Sequence, residues 1–527
     1  MRDLQVCRTL HGIYAHMSLT SSLVERYSAE ASSAMSLRHL LYRTGLRAFR
    51  ALSPTLMRGE SKLARGLRGR RDAHERLVAW GGHGRTEGPI AWVHAASVGE
   101  ALQARAVIEA LRPRIPALQV VFTFFSPSAE ASCEGFPADV CTCLPWDLPE
   151  VIGPVLDAVR PSLIVFTQRE VWPTLAAEAA ARNVPTVLVA GTLPKDAGRL
   201  SRAGRALLGE AFRNLRAVAA VSEEDANRFG LLGVDGDRVT VTGDPGIDEA
   251  WDRAAAVDDE SSHMRTVLGV FARIRGEPSP HEREPFDDAE GPSQRKRDPV
   301  LVAGSTWPSD DAVLLPALAR VKEAVPGLRI VLVPHEPSGY DFAGLERRLV
   351  ADGWTPARLG EIESVSCPVE RQAEAQGGDS PESRGTLEAG AARVPDAILV
   401  DRVGVLADLY GLATVAYVGG GFHDAGLHSV LEPAAFGVPM LVGPKGRDSI
   451  HIARLLVGGA ARVVTDVEVL ARVVVEWLDA PEKKEAHGRC AMDYIENHRG
   501  SAERTANLIT RIVLQETTRG TLSERET

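Results

Sequence analysis

Ile90-Ala91-Trp92-Val93-His94-Ala95-Ala96-Ser97-Val98-Gly99-Glu100 is the stretch that decides the fold. Ile90 to Val93 form an apolar run of the kind that fills a buried strand. Small residues end it, and from Glu100 a helical pattern runs through Ala101, Val107 and Leu111. Strand-to-helix turns of this sort are where α/β folds expose their reactive edge. Glu100 is therefore a carboxylate parked at a strand tip. Ser97-x-x-Glu100 also fits a capping box, with Ser97 as N-cap and Glu100 as its reciprocal acceptor; the segment by itself leaves both roles open. Leu163-Ile164-Val165-Phe166-Thr167-Gln168-Arg169-Glu170-Val171-Trp172-Pro173 repeats the arrangement: apolar strand, polar tip, then a helix entry at Pro173, whose missing N–H is harmless in a first turn. Two polar strand tips in one domain predict a shared cleft.

Outward from these tips the chain reads as two α/β halves. Short Val/Ile/Leu/Phe-rich runs recur at 90–93, 120–125, 163–166, 186–190, 217–221 and 239–242, separated by helical segments. A second series follows at 300–303, 329–333, 397–400, 415–418, 440–442 and 461–464. Such alternation predicts βαβ crossovers and parallel sheets. Domains are expected at 86–250 and 299–480. A polar linker or insertion is expected at 251–298 and a second polar insertion at 361–395, because neither offers enough apolar surface to offset the entropy of ordering. Residues 481–527 read as a C-terminal helix and tail, and 1–36 carry no pattern that assigns them.

Five hundred and twenty-seven residues suffice for two cores. The net charge of −10 argues against a nucleic-acid partner. No metal-ligand cluster is evident: Cys141-x-Cys143 is too tight for usual zinc spacing and lacks a matching pair. All six cysteines (Cys7, Cys133, Cys141, Cys143, Cys367, Cys490) are expected to be reduced thiols in a cytosol-facing protein. No run of 18 apolar residues argues for a spanning helix, and the first residues lack the apolar run of a secretory signal.

The segment 37–85 differs from the rest. It holds twelve Lys/Arg against Glu60, Asp72 and Glu75. Leu37, Leu40, Leu41, Ala48 and Leu52 follow helical spacing, Arg38, Arg43, Arg47 and Arg50 interleave, and Pro54 is expected to end the helix. A basic amphipathic helix can lie in an anionic membrane interface; the competing reading is a helix docked on the protein's own core.

The strand tips are similar to those of the 3-deoxy-D-manno-octulosonic acid (Kdo) transferases of lipid A assembly. The likeness continues in family order through Leu144-Pro145-Trp146-Asp147-Leu148-Pro149, Val221-Ser222-Glu223-Glu224-Asp225, Val239-Thr240-Val241-Thr242-Gly243, Gly304-Ser305-Thr306, Leu332-Val333-Pro334, Val418-Gly419-Gly420-Gly421 and Leu431-Glu432-Pro433. The resemblance implies two Rossmann-like domains facing a cleft, the glycosyltransferase-B arrangement, with the acceptor on the first and the nucleotide sugar on the second. It implies an inverting transfer from CMP-Kdo, or a related CMP-activated sugar acid, to a lipid A precursor. The setting would be the cytoplasmic face of the inner membrane, at its anionic surface, with no metal or other cofactor. Glu100 would be the general base. Gln168 and Glu170 fall on the two acids of the family's Glu-x-Glu-Leu-Trp-Pro.

For the donor, the resemblance points to His335, Glu336, Gly404, Val405, Leu406, His428, Ser429, Val430, Leu431 and Glu432. Gly419 to Gly421 would permit close backbone approach to a phosphate, with a plain turn as the alternative.

The departures cluster at functional positions. Gln168 replaces an acid and Gly246 a lysine. Val333-Pro334-His335-Glu336 stands for Val-Pro-Arg-His, Trp307 for a histidine, and His428-Ser429 for His-Asn. Loss of one partner of a buried charged contact costs about 2–5 kcal/mol. Lys445 and Arg447 are candidates to restore the lost cations, or else are solvated loop charges. Retained Glu100 favours an active transferase; Gln168 and Gly246 favour a membrane-peripheral pseudoenzyme that binds lipid or nucleotide without turnover. An unrelated nucleotide-binding oxidoreductase is disfavoured, since no Gly-x-Gly-x-x-Gly follows a strand.

Overall fold

The computed structural model describes residues 39–59, 61–126, 129–130, 133, 135–257, 261–274, 298–366, 394–424, 426–446 and 449–526. The chain divides into two compact units, Met1–Gly246 with Gly500–Thr527, and Ile247–Arg499.

The first unit is built on β1 (Ile90–Ala95), β2 (Gln119–Phe124), β3 (Val140–Cys143), β4 (Leu163–Thr167), β5 (Thr186–Gly191), β6 (Ala217–Ala220) and β7 (Val239–Val241). They form one parallel sheet in the order β3-β2-β1-β4-β5-β6-β7. All six residues of β1 are buried, as expected of a strand covered on both faces. Alternate residues feed two cores. Trp92, Val121, Ile164 and Leu188 lie on one side; Val93, Phe122, Val165 and Val189 lie on the other. The second unit repeats the plan with β8 (Val300–Thr306), β9 (Arg329–Pro334), β10 (Pro356–Arg358), β11 (Ala397–Leu399), β12 (Val415–Val418), β13 (Met440–Val442) and β14 (Ala461–Val463). Their order is β10-β11-β9-β8-β12-β13-β14, again parallel. Two Rossmann-like parallel sheets are thus present, as the alternation of apolar runs predicted. Strand order reverses between β1 and β4 in one sheet and between β8 and β12 in the other. These switch points are where open α/β sheets bind ligands.

Several expectations change. The segment 37–85 is two helices. Residues 39–56 form one, and it continues past Pro54. Proline removes the N–H that would bond the Arg50 carbonyl, and the Ser53 hydroxyl supplies that bond instead at 2.7 Å. The second helix, Lys62–His83, belongs to the core: Ala64, Leu67, Ala73 and Leu77 are buried, and Gly69 lets the helix press on Cys143, whose sulfur occupies the space a Cβ would need. The region after 250 is not all insertion. The helix Ser262–Ile274 buries Met264, Val267, Val270 and Phe271 in the second unit's core, a stripe at helical spacing hidden among charges. Residues 275–297 and 367–393, and so most of the two expected insertions, lie outside the described residues, as do 1–38.

The last helix, Ser501–Glu526, rejoins the first unit. Ala506, Ile509 and Ile512 pack in the core with Val107 and Leu111, and the Thr505 hydroxyl bonds that of Thr242 at 3.0 Å. Not every cysteine is a thiol: Cys133 and Cys141 are joined in a disulfide, their Cα atoms 5.8 Å apart. The edge strand β3 carries Cys141 back beside Cys133, a proximity that spacing alone does not reveal. Cys143 and Cys490 are free; Cys7 and Cys367 lie outside the described residues.

Candidate functional site

Each unit carries a polar constellation at its switch point. In the first, β1 delivers Glu100 and β4 delivers Gln168 and Glu170. Ser97 caps the helix Val98–Leu111, its hydroxyl accepting the Glu100 N–H at 3.4 Å. The Glu100 carboxylate accepts from the Ala96 N–H at 2.7 Å through Oε2. The capping geometry is therefore real, but it holds one carboxylate oxygen and leaves the other for chemistry. Burial pushes the Glu100 carboxyl up to about 7, reinforced by the nearby Glu170 charge and opposed by the Ala96 N–H. Glu170 is itself paired with Arg199 at 2.6 Å.

Gln168 adopts the left-handed conformation, with φ of 57°, uncommon for a residue with a side chain. Its amide enters a chain that sequence reading missed. Gln168 Nε2 donates to Gln103 Oε1 at 2.9 Å, and Gln103 Nε2 donates to Asp244 Oδ1 at 2.8 Å. Asp244 Oδ1 also accepts the Gly246 N–H at 2.7 Å. A carboxylate only accepts, so Asp244 sets the direction of both amides. Gln168 is left presenting its carbonyl oxygen, an uncharged acceptor where the expected acid would have been a charged one. The one available signal was that Gln103 stands three residues after Glu100 on a helix, hence on the same face.

Beneath the tip, His94 is fully buried and its imidazole is pushed down to about 3 by that burial. Its Nε2 accepts the Trp172 indole N–H at 2.9 Å, so its proton sits on Nδ1, 3.1 Å from the Thr123 hydroxyl oxygen. Trp172, and with it the Glu170 turn, is thereby tied to β1.

In the second unit, the turn after β12 approaches β8 so closely that a Cβ at Gly419 would collide with the Ser305 carbonyl. Ser305 is itself left-handed, with φ of 54°, at a register shift in β8. Asp310 holds the turn. It is fully buried and accepts from the N–H groups of Trp307 at 2.9 Å, Gly420 at 2.8 Å and Phe422 at 3.2 Å, and from the Tyr417 hydroxyl at 2.9 Å. Trp307 forms a platform: His423 stacks on it at 3.9 Å and His335 at 4.7 Å between ring centroids. Its indole N–H donates to His428 Nε2 at 3.0 Å. Burial drives the His428 imidazole down to about 4, with His335 adding to the shift. His428 is therefore neutral at pH 7, with its proton on Nδ1. Neither His423 nor Asp310 was singled out by sequence reading. For Asp310 the signal was a proline-led helix start with an acid in its first turn.

The other residues expected on the donor side lie in the same unit. Glu336 is exposed just beyond β9. Gly404, with φ of 95°, precedes Val405, which caps the short helix Leu406–Leu409. Val430 caps the single turn Leu431–Ala435, where the Ser429 hydroxyl accepts the Leu431 N–H at 3.3 Å. Glu432 faces Arg253 at 3.6 Å, and burial raises its carboxyl. Lys445 is paired with Asp424, and Arg447 lies outside the described residues. Among the described residues no group of three or more His, Cys, Asp or Glu is placed to hold a metal ion.

Residues 71–248 match the family model described as 3-deoxy-D-manno-octulosonic-acid transferase. The chain is 26% identical over 426 residues to the 3-deoxy-D-manno-octulosonic acid transferase of Chlamydophila psittaci, covering 79% of this chain and 84% of that protein. It is 26% identical over 443 residues to the transferase of Bordetella pertussis, with 81% and 88% covered. The chain is similar to the Kdo transferases along about four fifths of its length.

Kdo transferases are glycosyltransferases, and a UDP-GlcNAc 2-epimerase from Neisseria meningitidis shows the same two-Rossmann architecture: TM-score 0.50 at 12% identity, covering 81% of this chain and all of that one. That likeness concerns fold alone. From the Kdo transferase pattern this chain departs at Gln168, Gly246, Trp307 and His335, and the geometry accounts for three of the four. Gln168 keeps an acceptor through Gln103 and Asp244, while Trp307 and His335 replace a charged contact with stacked rings. Gly246 offers Asp244 its N–H, and no lysine side chain can be supplied from that position.

Proposed function

We propose that this chain is an inverting transferase that moves Kdo, or a related sugar acid, from its CMP-activated form to a hydroxyl of a lipid A precursor. The observation that carries the reading is Glu100: a carboxyl at the β1/β4 switch point, one oxygen pinned and its protonation balanced near neutrality. A general base works best when its pKa lies near the working pH. Glu100 takes the acceptor proton as the hydroxyl oxygen attacks the anomeric carbon, and CMP leaves with the bonding electron pair. Gln168 accepts a hydrogen bond from the acceptor. In the second unit, the Nδ1–H of His428 and the N–H groups around Gly419–Gly421 suit the departing phosphate, and Glu432 suits the ribose hydroxyls. The reaction as proposed draws on hydrogen-bond donors rather than on a metal or organic cofactor. Retention of the base favours turnover over a purely binding role.

The test is transfer by the purified chain from CMP-Kdo to a lipid A precursor, followed across pH. Glu100 acts only when ionised, so kcat/KM is expected to rise about tenfold per pH unit below 7 and to level above it. A flat profile between pH 5.5 and 8, or no product at any pH, would defeat the assignment.

The helix at 39–56 supports a place at the inner face of the plasma membrane. One side docks on its own unit: Tyr42 donates to Asp147 at 2.9 Å, Arg47 pairs with Glu150 at 2.8 Å, and Phe49 meets Trp146 edge-on. Leu41 and Leu52, each more than 60% exposed, and Leu56 remain outward. Both sequence readings of this helix thus have support, and the outward leucines with the flanking arginines suit an anionic interface. No described helix is long and apolar enough to cross a membrane. Replacing Leu41, Leu52 and Leu56 together by Ser is expected to cut sedimentation with anionic liposomes at least fivefold at low salt, with the thermal midpoint unchanged. Equal sedimentation of both proteins would remove the membrane assignment.

A further inference from the structure

Two residues of the stretch 251–298, read from sequence as a linker, pair with carboxylates on the turns expected to hold the nucleotide. Arg253, on the helix Pro245–Ala255, faces Glu432 at 3.6 Å. His263, on the helix Ser262–Ile274, meets Asp408 at 2.8 Å. All four residues belong to the second unit. At 3.6 Å the Arg253 contact is one of charge and longer than a hydrogen bond, so it steadies the carboxylate without using up its acceptor capacity. The two side chains are 31% and 19% exposed, which leaves both within reach of a ligand. A carboxylate only accepts, so the His263 Nε2–H donates to Asp408 Oδ2. Asp408 lies in the helix Leu406–Leu409, and Tyr410 follows at once. The Tyr410 hydroxyl occupies the space a Cβ would need at Gly304 in β8, which sets this group of side chains against the switch-point strand.

Opposed influences act on Glu432. Burial and the Asp408 charge favour its protonated form, and Arg253 favours the ionised one. Tyr410 is buried and its hydroxyl stays protonated. The helix Pro481–His498 packs on the same turn and meets its end through Gly488 and Met492, neither of which titrates. Arg253 is therefore the group that keeps this carboxylate charged. We propose that Arg253 is a positioning residue for the nucleotide, acting through Glu432 to make the second unit select a ribose that carries both hydroxyls. This rests on the reading of Glu432 as the partner of those hydroxyls. A charged carboxylate accepts from two hydroxyls at once, and such bonds are about twice as strong as neutral ones. A protonated carboxyl spends part of that capacity on its own proton. By donating to Asp408, His263 partly offsets the charge that opposes the ionised form.

The test is calorimetric binding of CMP and of 2′,3′-dideoxycytidine 5′-monophosphate to the full chain between pH 6 and 9, beside Arg253→Met, Arg253→Lys and Glu432→Gln. The wild-type chain is expected to bind CMP at least about tenfold more tightly than the dideoxy nucleotide, the scale of one charge-assisted hydrogen bond. In Arg253→Met that preference should vanish at pH 6 and return as pH rises, because the unopposed carboxyl holds its proton further up the scale. Affinity for the dideoxy nucleotide should stay within about twofold throughout, since it lacks the hydroxyls that Glu432 would hold. Arg253→Lys, which keeps the charge, should keep the preference, and Glu432→Gln should lose it at every pH. An undiminished preference in Arg253→Met overturns the proposal. So does equal weakening of both nucleotides with a lowered thermal midpoint, which marks a structural role. A preference lost in Arg253→Met at every pH would mean that Arg253 meets the nucleotide itself, and would overturn its action through Glu432. Equal binding of both nucleotides by the wild-type chain removes the ribose assignment and this proposal with it. Binding is read without turnover: transfer from CMP-Kdo by a wild-type chain without ribose preference leaves the transferase reading standing and this one fallen, and ribose preference without transfer does the reverse.

Discussion

Glu100→Gln is expected to lower kcat by about 10²–10⁴-fold, the usual contribution of a positioned general base, while the affinity for CMP stays within twofold. The substitution is nearly isosteric. Its amide oxygen can still accept the Ala96 N–H that Glu100 accepts at 2.7 Å, so the helix entry at Ser97 survives and what disappears is the capacity to take a proton. Stability supplies an independent reading. The Glu100 carboxyl is held at about 7, above its ordinary value of 4.5, so between those values the unfolded chain ionises while the folded chain keeps its proton. The unfolded state then binds fewer protons, and wild-type stability falls as pH rises through that window. The amide introduced by Glu100→Gln does not titrate, so the variant escapes that loss. Its thermal midpoint should therefore equal or exceed that of the wild type at pH 8, with the difference shrinking towards pH 5. Measuring initial rates and melting curves together separates the two roles of this residue. Retention of full turnover would reduce Glu100 to a capping group, and a large fall in midpoint at pH 8 would show that its charge is structural.

Asp310→Ala is expected to be the most damaging single change in the second unit, costing about 3–5 kcal/mol of stability. The carboxylate is fully buried and serves four donors: the N–H groups of Trp307, Gly420 and Phe422, and the Tyr417 hydroxyl. Alanine leaves those donors facing a small cavity, and each unsatisfied buried group costs about 1–3 kcal/mol before water enters. The consequence for function follows from what those donors belong to. Trp307 carries the His335, His423 and His428 stack, and Gly420 and Phe422 belong to the turn after β12. Releasing the carboxylate frees both, so CMP affinity should fall at least tenfold even at temperatures where the chain remains folded. Asp310→Asn, which keeps one acceptor oxygen but sets an NH₂ against N–H donors, should fall between the two. Chemical denaturation and CMP titration would check both quantities; unchanged CMP binding in a folded Asp310→Ala chain would show that the turn is held by other contacts.

Much of this was legible in the linear chain, for physical reasons that can be named. A strand buried on both faces must be almost wholly apolar, so the runs at 90–93, 163–166, 300–303 and 415–418 announce themselves. The strands that escaped, β3 and β10, are short edge strands of mixed composition, Val-Cys-Thr-Cys and Pro-Ala-Arg. Only neighbours make them strands. Glu100 was legible because a strand tip and a helix start lie within a few residues of each other. Pro54 misled because the hydroxyl that repairs its missing bond belongs to the residue beside it, an option that a rule about proline does not include.

The composition and order of the chain thus determined two parallel α/β sheets, the polar residues at their tips and the likeness to the Kdo transferases. The tertiary structure alone decided how those residues are set. Asp244 orients Gln168 across 76 positions through Gln103, Trp307 fixes the proton of His428 from 121 positions away, and Cys133 meets Cys141 where β3 closes the sheet. Arg70 stands buried among rings drawn from three separate turns. The division has one cause: apolar periodicity is written in neighbouring residues, whereas hydrogen-bond direction, proton affinity and desolvation depend on groups that become neighbours only when the sheet assembles.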